Sequence, residues 1–286
     1  MTVDVEDFFL ATAFDRRISR SSWIHRESRV ERSTQRLLAF FHEHRVRATF
    51  FILGWVADRY PSLVRDIVAC GHEVGSHGFQ HQLVYPQTAE QSRDDVRRAK
   101  ATIEDAGGRP VRGYRAPSFS VVQSSLWALD VLIEEGHTYD ASIFPIYHDR
   151  YGMPNAPRHL HTVHRPAGTI IEVPASTVRL GGVNVPIAGG GYFRLFPYAF
   201  TRWGIGRVNR EGESATFYIH PWEIDVDQPR LNVSRVTAFR HYINLDDTLN
   251  RLRRLVTDFG FDAIDATLDV RGATTLSTAA TLAHAD

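Results

Sequence analysis

A single cysteine, Cys70, stands among 286 residues, so no intrachain disulfide can form, which fits a reducing compartment. Excess charge is missing as well: 33 basic side chains balance 33 acidic ones. Proteins that track nucleic acid or an anionic surface carry a basic excess, and none is present. The local clusters Arg16-Arg17 and Arg251-Leu252-Arg253-Arg254 read as solvated surface. No apolar run approaches the roughly 20 residues that span a bilayer. No basic segment, apolar stretch and cleavage site open the chain, so a cytoplasmic protein is expected. With 43% hydrophobic and 23% charged residues the composition is that of an ordinary globular protein, long enough for one large α/β domain.

What is present alternates. β-prone apolar runs are expected within residues 1–10 and at 47–53, 72–76, 113–119, 139–142, 169–176 and 215–219. Helical spacing of apolar residues is expected over 34–44, 56–70, 88–106, 125–135 and 246–259, with Gly71 and Gly107-Gly108 as stops. Residues 15–32, 146–166 and 225–242 read as polar loops, and the chain from 271 as a frayed end. Gly189-Gly190-Gly191 marks a turn where backbone passes close to something. No linker and no internal repeat is found. Strands alternating with helices predict a mainly parallel sheet or a barrel.

The chemistry centres on Gly75-Ser76-His77-Gly78-Phe79-Gln80-His81. Two histidines four residues apart can aim two imidazoles at one metal ion, although the same spacing suits an ordinary polar helix face. The acidic cluster Asp4-Val5-Glu6-Asp7 could add a carboxylate ligand and a base. Two histidines and one carboxylate leave metal positions open for hydrolysis. Asp4, His77, Arg115, Asp140 and His220 each follow or end an apolar run, where barrel folds place active sites. An apolar strand delivering His220 suits a general acid.

Taken in order, Thr2-Val3-Asp4-Val5-Glu6-Asp7, Ser76-His77-Gly78-x-x-His81, Gly113-Tyr114-Arg115-Ala116-Pro117, Tyr139-Asp140-Ala141-Ser142 and His220-Pro221-Trp222-Glu223 resemble the motifs of the polysaccharide deacetylases. This is carbohydrate esterase family 4, with the NodB-homology fold, and the resemblance covers roughly residues 1–261. The chain is similar to the subgroup found with bacterial exopolysaccharide and exosortase gene clusters, which carries an extension after His-Pro-Trp-Glu. The resemblance implies a single-domain α/β fold, a distorted (β/α) barrel with about seven parallel strands. It places the extension from about residue 224 and a tail at 262–286.

Site roles also follow from the resemblance. Asp4 is implied as general base, and Arg115 as the partner that orients it; an arginine neighbour favours a carboxylate's ionised form. His77, His81 and Glu6, with Asp7 as the alternative to Glu6, are implied as ligands of a divalent metal, zinc being the expected ion. His220 is implied as the acid that protonates a leaving amine, and Asp140 as its support. Tyr114, Pro117 and Trp222 are expected to bind substrate, with Glu172 and Gly189-Gly190-Gly191-Tyr192 lining the groove; His72 is structural. The implied reaction is N-deacetylation of N-acetylhexosamine residues in a bacterial polysaccharide or its precursor, releasing acetate. A glycan is the partner, at a cytoplasmic site or one peripheral to membrane-linked polysaccharide synthesis. Hydrolysis of a small cyclic amide, as by allantoinase-like relatives, and an inactive glycan-binding relative are the alternatives.

Overall fold

The computed structural model describes residues 1–14, 17–148 and 150–269; the expected frayed end from 271 lies outside them. Strand β1 (Thr2–Val5) is followed by helix α1 (Val30–His44), strand β2 (Thr49–Ile52), helices α2 (Gly54–Arg59) and α3 (Pro61–Ala69), and strand β3 (Glu73–Ser76). Next come α4 (Ala89–Gly107), β4 (Gly113–Tyr114), α5 (Trp127–Glu134), β5 (Tyr139–Asp140), β6 (His161–Arg165) and β7 (Gly168–Glu172). The chain continues through β8 (Thr177–Leu180), β9 (Val183–Pro186), α6 (Gly190–Leu195), α7 (Tyr198–Arg210), β10 (Tyr218–Ile219), α8 (Arg235–Tyr242) and α9 (Leu245–Asp258).

One sheet holds eight strands in the order β10-β1-β2-β3-β4-β5-β7-β6. The first seven in that order run parallel, and β6 pairs antiparallel with β7. The sheet curls into an incomplete barrel with β10 and β6 as its edges. β2, Thr-Phe-Phe-Ile, is buried along its whole length, as a parallel strand covered on both faces must be. α4 packs against α2, α3 and α5 on the outside.

Local chemistry explains where elements start and stop. The expected helix over 56–70 is two helices, because Pro61 lacks an N–H and pushes Tyr60 (φ −129°, ψ 60°) out of helical space. Thr88 and Gln91 form a reciprocal capping box at the start of α4. Gly181 and Gly182 (φ 54° and 83°) make the tight turn of the β8–β9 hairpin. Gly189 does pass close to backbone: a Cβ there would sit 2.0 Å from the Tyr218 carbonyl oxygen of β10.

Several expected loops hold structure. β6 lies within 146–166; as an edge strand reading His-Thr-Val-His-Arg it lacks an apolar alternation. α8 lies within 225–242, capped by the Ser234 side chain, and buries only His241. A 3₁₀ turn, Arg20–His25, lies within 15–32 and buries Trp23. Conversely, the strand expected over 113–119 stops after Tyr114, and Pro117–Phe119 is a 3₁₀ turn.

Candidate metal centre and active site

β1 ends with its acids at the mouth of the barrel, and side-chain alternation divides them. Asp4, 2% exposed, accepts a 2.7 Å hydrogen bond from Arg115 Nη1 through Oδ1. Arg115 also donates to Thr2 Oγ1 (2.8 Å) and the Ala141 carbonyl (3.1 Å), and its guanidinium lies 4.3 Å from the Phe51 ring centre. It is therefore held on three sides.

Asp7 points elsewhere. Its oxygens accept from Phe8 N, Ser28 Oγ, Arg29 N and Val30 N, so it satisfies the otherwise bare N–H groups that open α1. That explains why α1 starts at Val30 rather than at residue 34. Replacing Asp7 by alanine should cost about 1–3 kcal/mol of stability in urea unfolding and leave cation binding intact. Glu6→Gln should do the reverse, with loss of cation measured by elemental analysis. Loss of cation on the Asp7 change instead would exchange their roles.

His77 follows β3, and its Nδ1 donates 2.7 Å to the Arg115 carbonyl, which leaves Nε2 as a lone-pair donor. Burial lowers its pKa to about 4, so the ring is neutral at neutral pH. Gly78 (φ 73°) and His81 (φ 50°) turn the chain so that the second imidazole comes back to the first, with ring centres 5.5 Å apart. Glu6 Oε2 lies 2.7 Å from His81 Nε2, while Oε1 accepts from Trp222 Nε1 at 3.1 Å. Burial opposes charge on Glu6, but His81, His220 and His77 outweigh it and hold the carboxyl well below its usual range.

One ligand atom from each of Glu6, His77 and His81 lies within 4.8 Å of the others. Buried His81 Nδ1 has no hydrogen-bond partner among the described residues, and the polar neighbour of Glu6 Oε2 is His81 Nε2 within the same cluster. A carboxylate and two imidazoles gathered in this way fit a divalent cation.

His220 follows β10. Its Nε2 lies 3.6 Å from Glu6 Oε1 and 3.9 Å from Asp4 Oδ2, and its Nδ1 lies 2.5 Å from Glu223 Oε1. Asp4, Glu6, His77, His81, His220 and Trp222 share one cavity of about 450 Å³. Its remaining wall includes Phe119, Tyr151, Tyr192, Tyr218 and Phe239, contributed largely by the second half of the chain.

Three expectations need correction. Asp140 does not reach His220: it accepts from Ser142 Oγ and pairs with Glu172, its register partner on β7. Burial and Asp140 together raise the Glu172 pKa well above normal, and Glu172, fully buried, does not line the cavity. Tyr114 and Pro117 are buried and do not line the cavity. Tyr114 precedes Arg115, and alternation turns it out into the α4–α5 layer beside Val96 and Leu129. Ser118 and Phe119 take the cavity wall instead. Sequence reasoning gave no role to Glu223 and passed over Arg194; the sole local signal was the position of Glu223, three residues after His220 behind a proline.

A polysaccharide deacetylase family model matches residues 11–132, including His77, His81 and Arg115. A peptidoglycan deacetylase of Helicobacter pylori is 33% identical over 123 residues, 41% of this chain and 40% of that protein. A chitooligosaccharide deacetylase of Sinorhizobium fredii is 38% identical over 104 residues, 35% of this chain and 44% of that protein.

The chain carries a polysaccharide deacetylase domain.

The matched part thus spans about two fifths of these relatives' length. A crystal structure from Mycobacterium smegmatis, assigned to the polysaccharide deacetylases, has a TM-score of 0.63 at 17% identity, covering 96% of this chain and 90% of that one. It shares the fold of the deacetylase domain. Residues 141–269, which supply His220, match a family described as a domain of unknown function, DUF3473. No described helix is long and apolar enough to cross a membrane.

Proposed function

We propose that this chain hydrolyses the acetamide of N-acetylhexosamine residues in a bacterial exopolysaccharide or its precursor and releases acetate. The observation that carries the reading is the convergence of Asp4 and His220 on the Glu6, His77 and His81 cluster within one cavity. When bound by that cluster, a divalent cation, zinc on the chemistry of its ligands, would polarise the acetyl carbonyl and acidify water. Asp4 takes the proton of the attacking water, its carboxylate held in place by Arg115. His220 hands its Nε2 proton to the nitrogen as the C–N bond breaks. The aromatic wall offers flat apolar surface to sugar rings. The names of the two curated relatives support an N-acetylated glycan as the substrate class.

The test is acetate release from N-acetylglucosamine oligomers by the cation-loaded protein, with allantoin as control. Cation-dependent release from the oligomers is expected. Turnover of allantoin alone would replace the reading with hydrolysis of a small cyclic amide, and oligomer binding without turnover would replace it with a binding role.

A pH profile gives a second check. Burial opposes charge on His220, but Glu6, Glu223 and Asp4 outweigh it and push its pKa up from 6.5 to about 9. A bound cation would offset Glu6, so the alkaline limb of kcat/KM is expected between those two values. Below the limb His220 holds the proton that the leaving nitrogen needs; above it the rate falls about tenfold per pH unit. A rate still rising at pH 10 would remove His220 from this role.

A further inference from the structure

We infer that Glu223, itself fixed by Arg194, is the positioning residue for His220, and that the second half of the chain thereby sets the geometry of the proton donor. The inference rests on the deacetylation reading above and goes beyond it to residues that the motifs left without a role.

The contacts form a chain of fixed points. Pro221 starts a short 3₁₀ turn, Pro221–Ile224, that brings Glu223 back under His220. Glu223 Oε1 meets both His220 Nδ1 (2.5 Å) and the His220 backbone N–H (3.2 Å). With Nδ1 engaged, Nε2 is the nitrogen presented to the cavity, toward Asp4 and Glu6. Glu223 Oε2 accepts 2.9 Å from Arg194 Nε, and both side chains are 2% exposed or less.

Arg194 belongs to α6, and its Nη1 donates to the carbonyls of His241 (2.6 Å) and Ile243 (3.1 Å) at the end of α8. Ring stacking fixes the same imidazole from another side. His220 lies on Trp222 (centres 5.1 Å apart, 21° between planes), and Trp222 lies on His241 (4.2 Å, 14°). Trp222 in turn donates to Glu6. Arg194 and His241 therefore hold the acid through Glu223 and Trp222, while Asp140 is occupied with Ser142 and Glu172.

The orientation matters at one step. When the C–N bond of the tetrahedral adduct breaks, its electron pair goes to nitrogen, and the Nε2 proton must already point there. The acetyl carbonyl re-forms as acetic acid, which gives up its proton to water. A leaving group that departs as a stable anion needs no such proton.

The experiment compares wild type, Glu223→Gln, Glu223→Asp and Arg194→Lys, each cation-loaded, on an N-acetylglucosamine oligomer and on nitrophenyl acetate. Glu223→Gln is expected to lower kcat on the oligomer about 100-fold with KM within about twofold. Its hydrolysis of the aryl ester should stay within about threefold of wild type, because phenolate leaves unprotonated. Glu223→Asp and Arg194→Lys should fall between wild type and Glu223→Gln on the oligomer. Cation content and the unfolding midpoint are recorded for each. Equal loss on both substrates, or full retention on the oligomer, would overturn the inference.

If wild type releases no acetate from oligomers, the substrate reading fails by itself. Positioning is then judged by nitrogen-15 NMR of the imidazoles. A hydrogen-bonded Nδ1 proton on His220 in wild type, weakened in Glu223→Gln and lost in Glu223→Ala, supports it, and a signal unchanged in Glu223→Ala overturns it.

Discussion

Replacing His77 by alanine is expected to abolish tight cation binding and to lower acetate release by about three orders of magnitude, the several kcal/mol that a Lewis acid supplies. The size follows from how completely this imidazole is committed. Its Nδ1 is bound to the Arg115 carbonyl, its ring is 2% exposed, and burial keeps it neutral, so Nε2 has no role left except as a donor to the cluster. Elemental analysis after dialysis, together with the rate on N-acetylglucosamine oligomers, reads the result. Asp4→Asn is the informative companion. It should keep its cation, because Asp4 is outside the Glu6, His77 and His81 cluster, and still lose about 10²–10⁴-fold in rate as a missing base. Equal cation loss in both variants would mean that Asp4 is a ligand and that the base lies elsewhere.

The largest effect on stability is expected at Arg115. Changing it to leucine strands the Asp4 carboxylate, the Thr2 hydroxyl and the Ala141 carbonyl inside the barrel without their donor. Removing one partner of a buried ion pair costs about 3–5 kcal/mol, since the other charge stays buried and uncompensated. Urea unfolding should show that loss. The double variant with Asp4→Asn should be destabilised by clearly less than the sum of the two single changes. Additive effects would show that Arg115 serves the core through its Phe51 contact rather than through Asp4.

These contrasts show which parts of the site were legible in the sequence. Asp4, Glu6, His77, His81, Arg115, His220 and Trp222 were legible because each lies in or just past a short strand, and parallel strands bring their ends to one side of the sheet. Glu6 could not be separated from Asp7 by sequence, because the decision rests on contacts with Ser28, Arg29 and Val30, more than 20 residues on. Tyr114 and Pro117 were misplaced because motif proximity to Arg115 says nothing about which face a side chain takes. Arg194 could not be found at all: it reaches Glu223 across 29 positions, from a helix with no periodic signal of its own. The fold shows the same division. Buried strands such as β2 announce themselves, while the edge strand β6 and the half-exposed α8 carry no hydrophobic pattern to read.

The strand order has a consequence for inheritance. The stretches matched by the two family models meet between residues 132 and 141, yet the sheet is hydrogen-bonded across that point, β4 to β5, and again at β1 to β10. A gene cut there would yield a first fragment with raw strand edges at both β1 and β4, each a template for aggregation. It would also lack His220, the proposed proton donor. Recombination at that joint is therefore penalised twice, and the two stretches are expected to travel together through evolution as one unit.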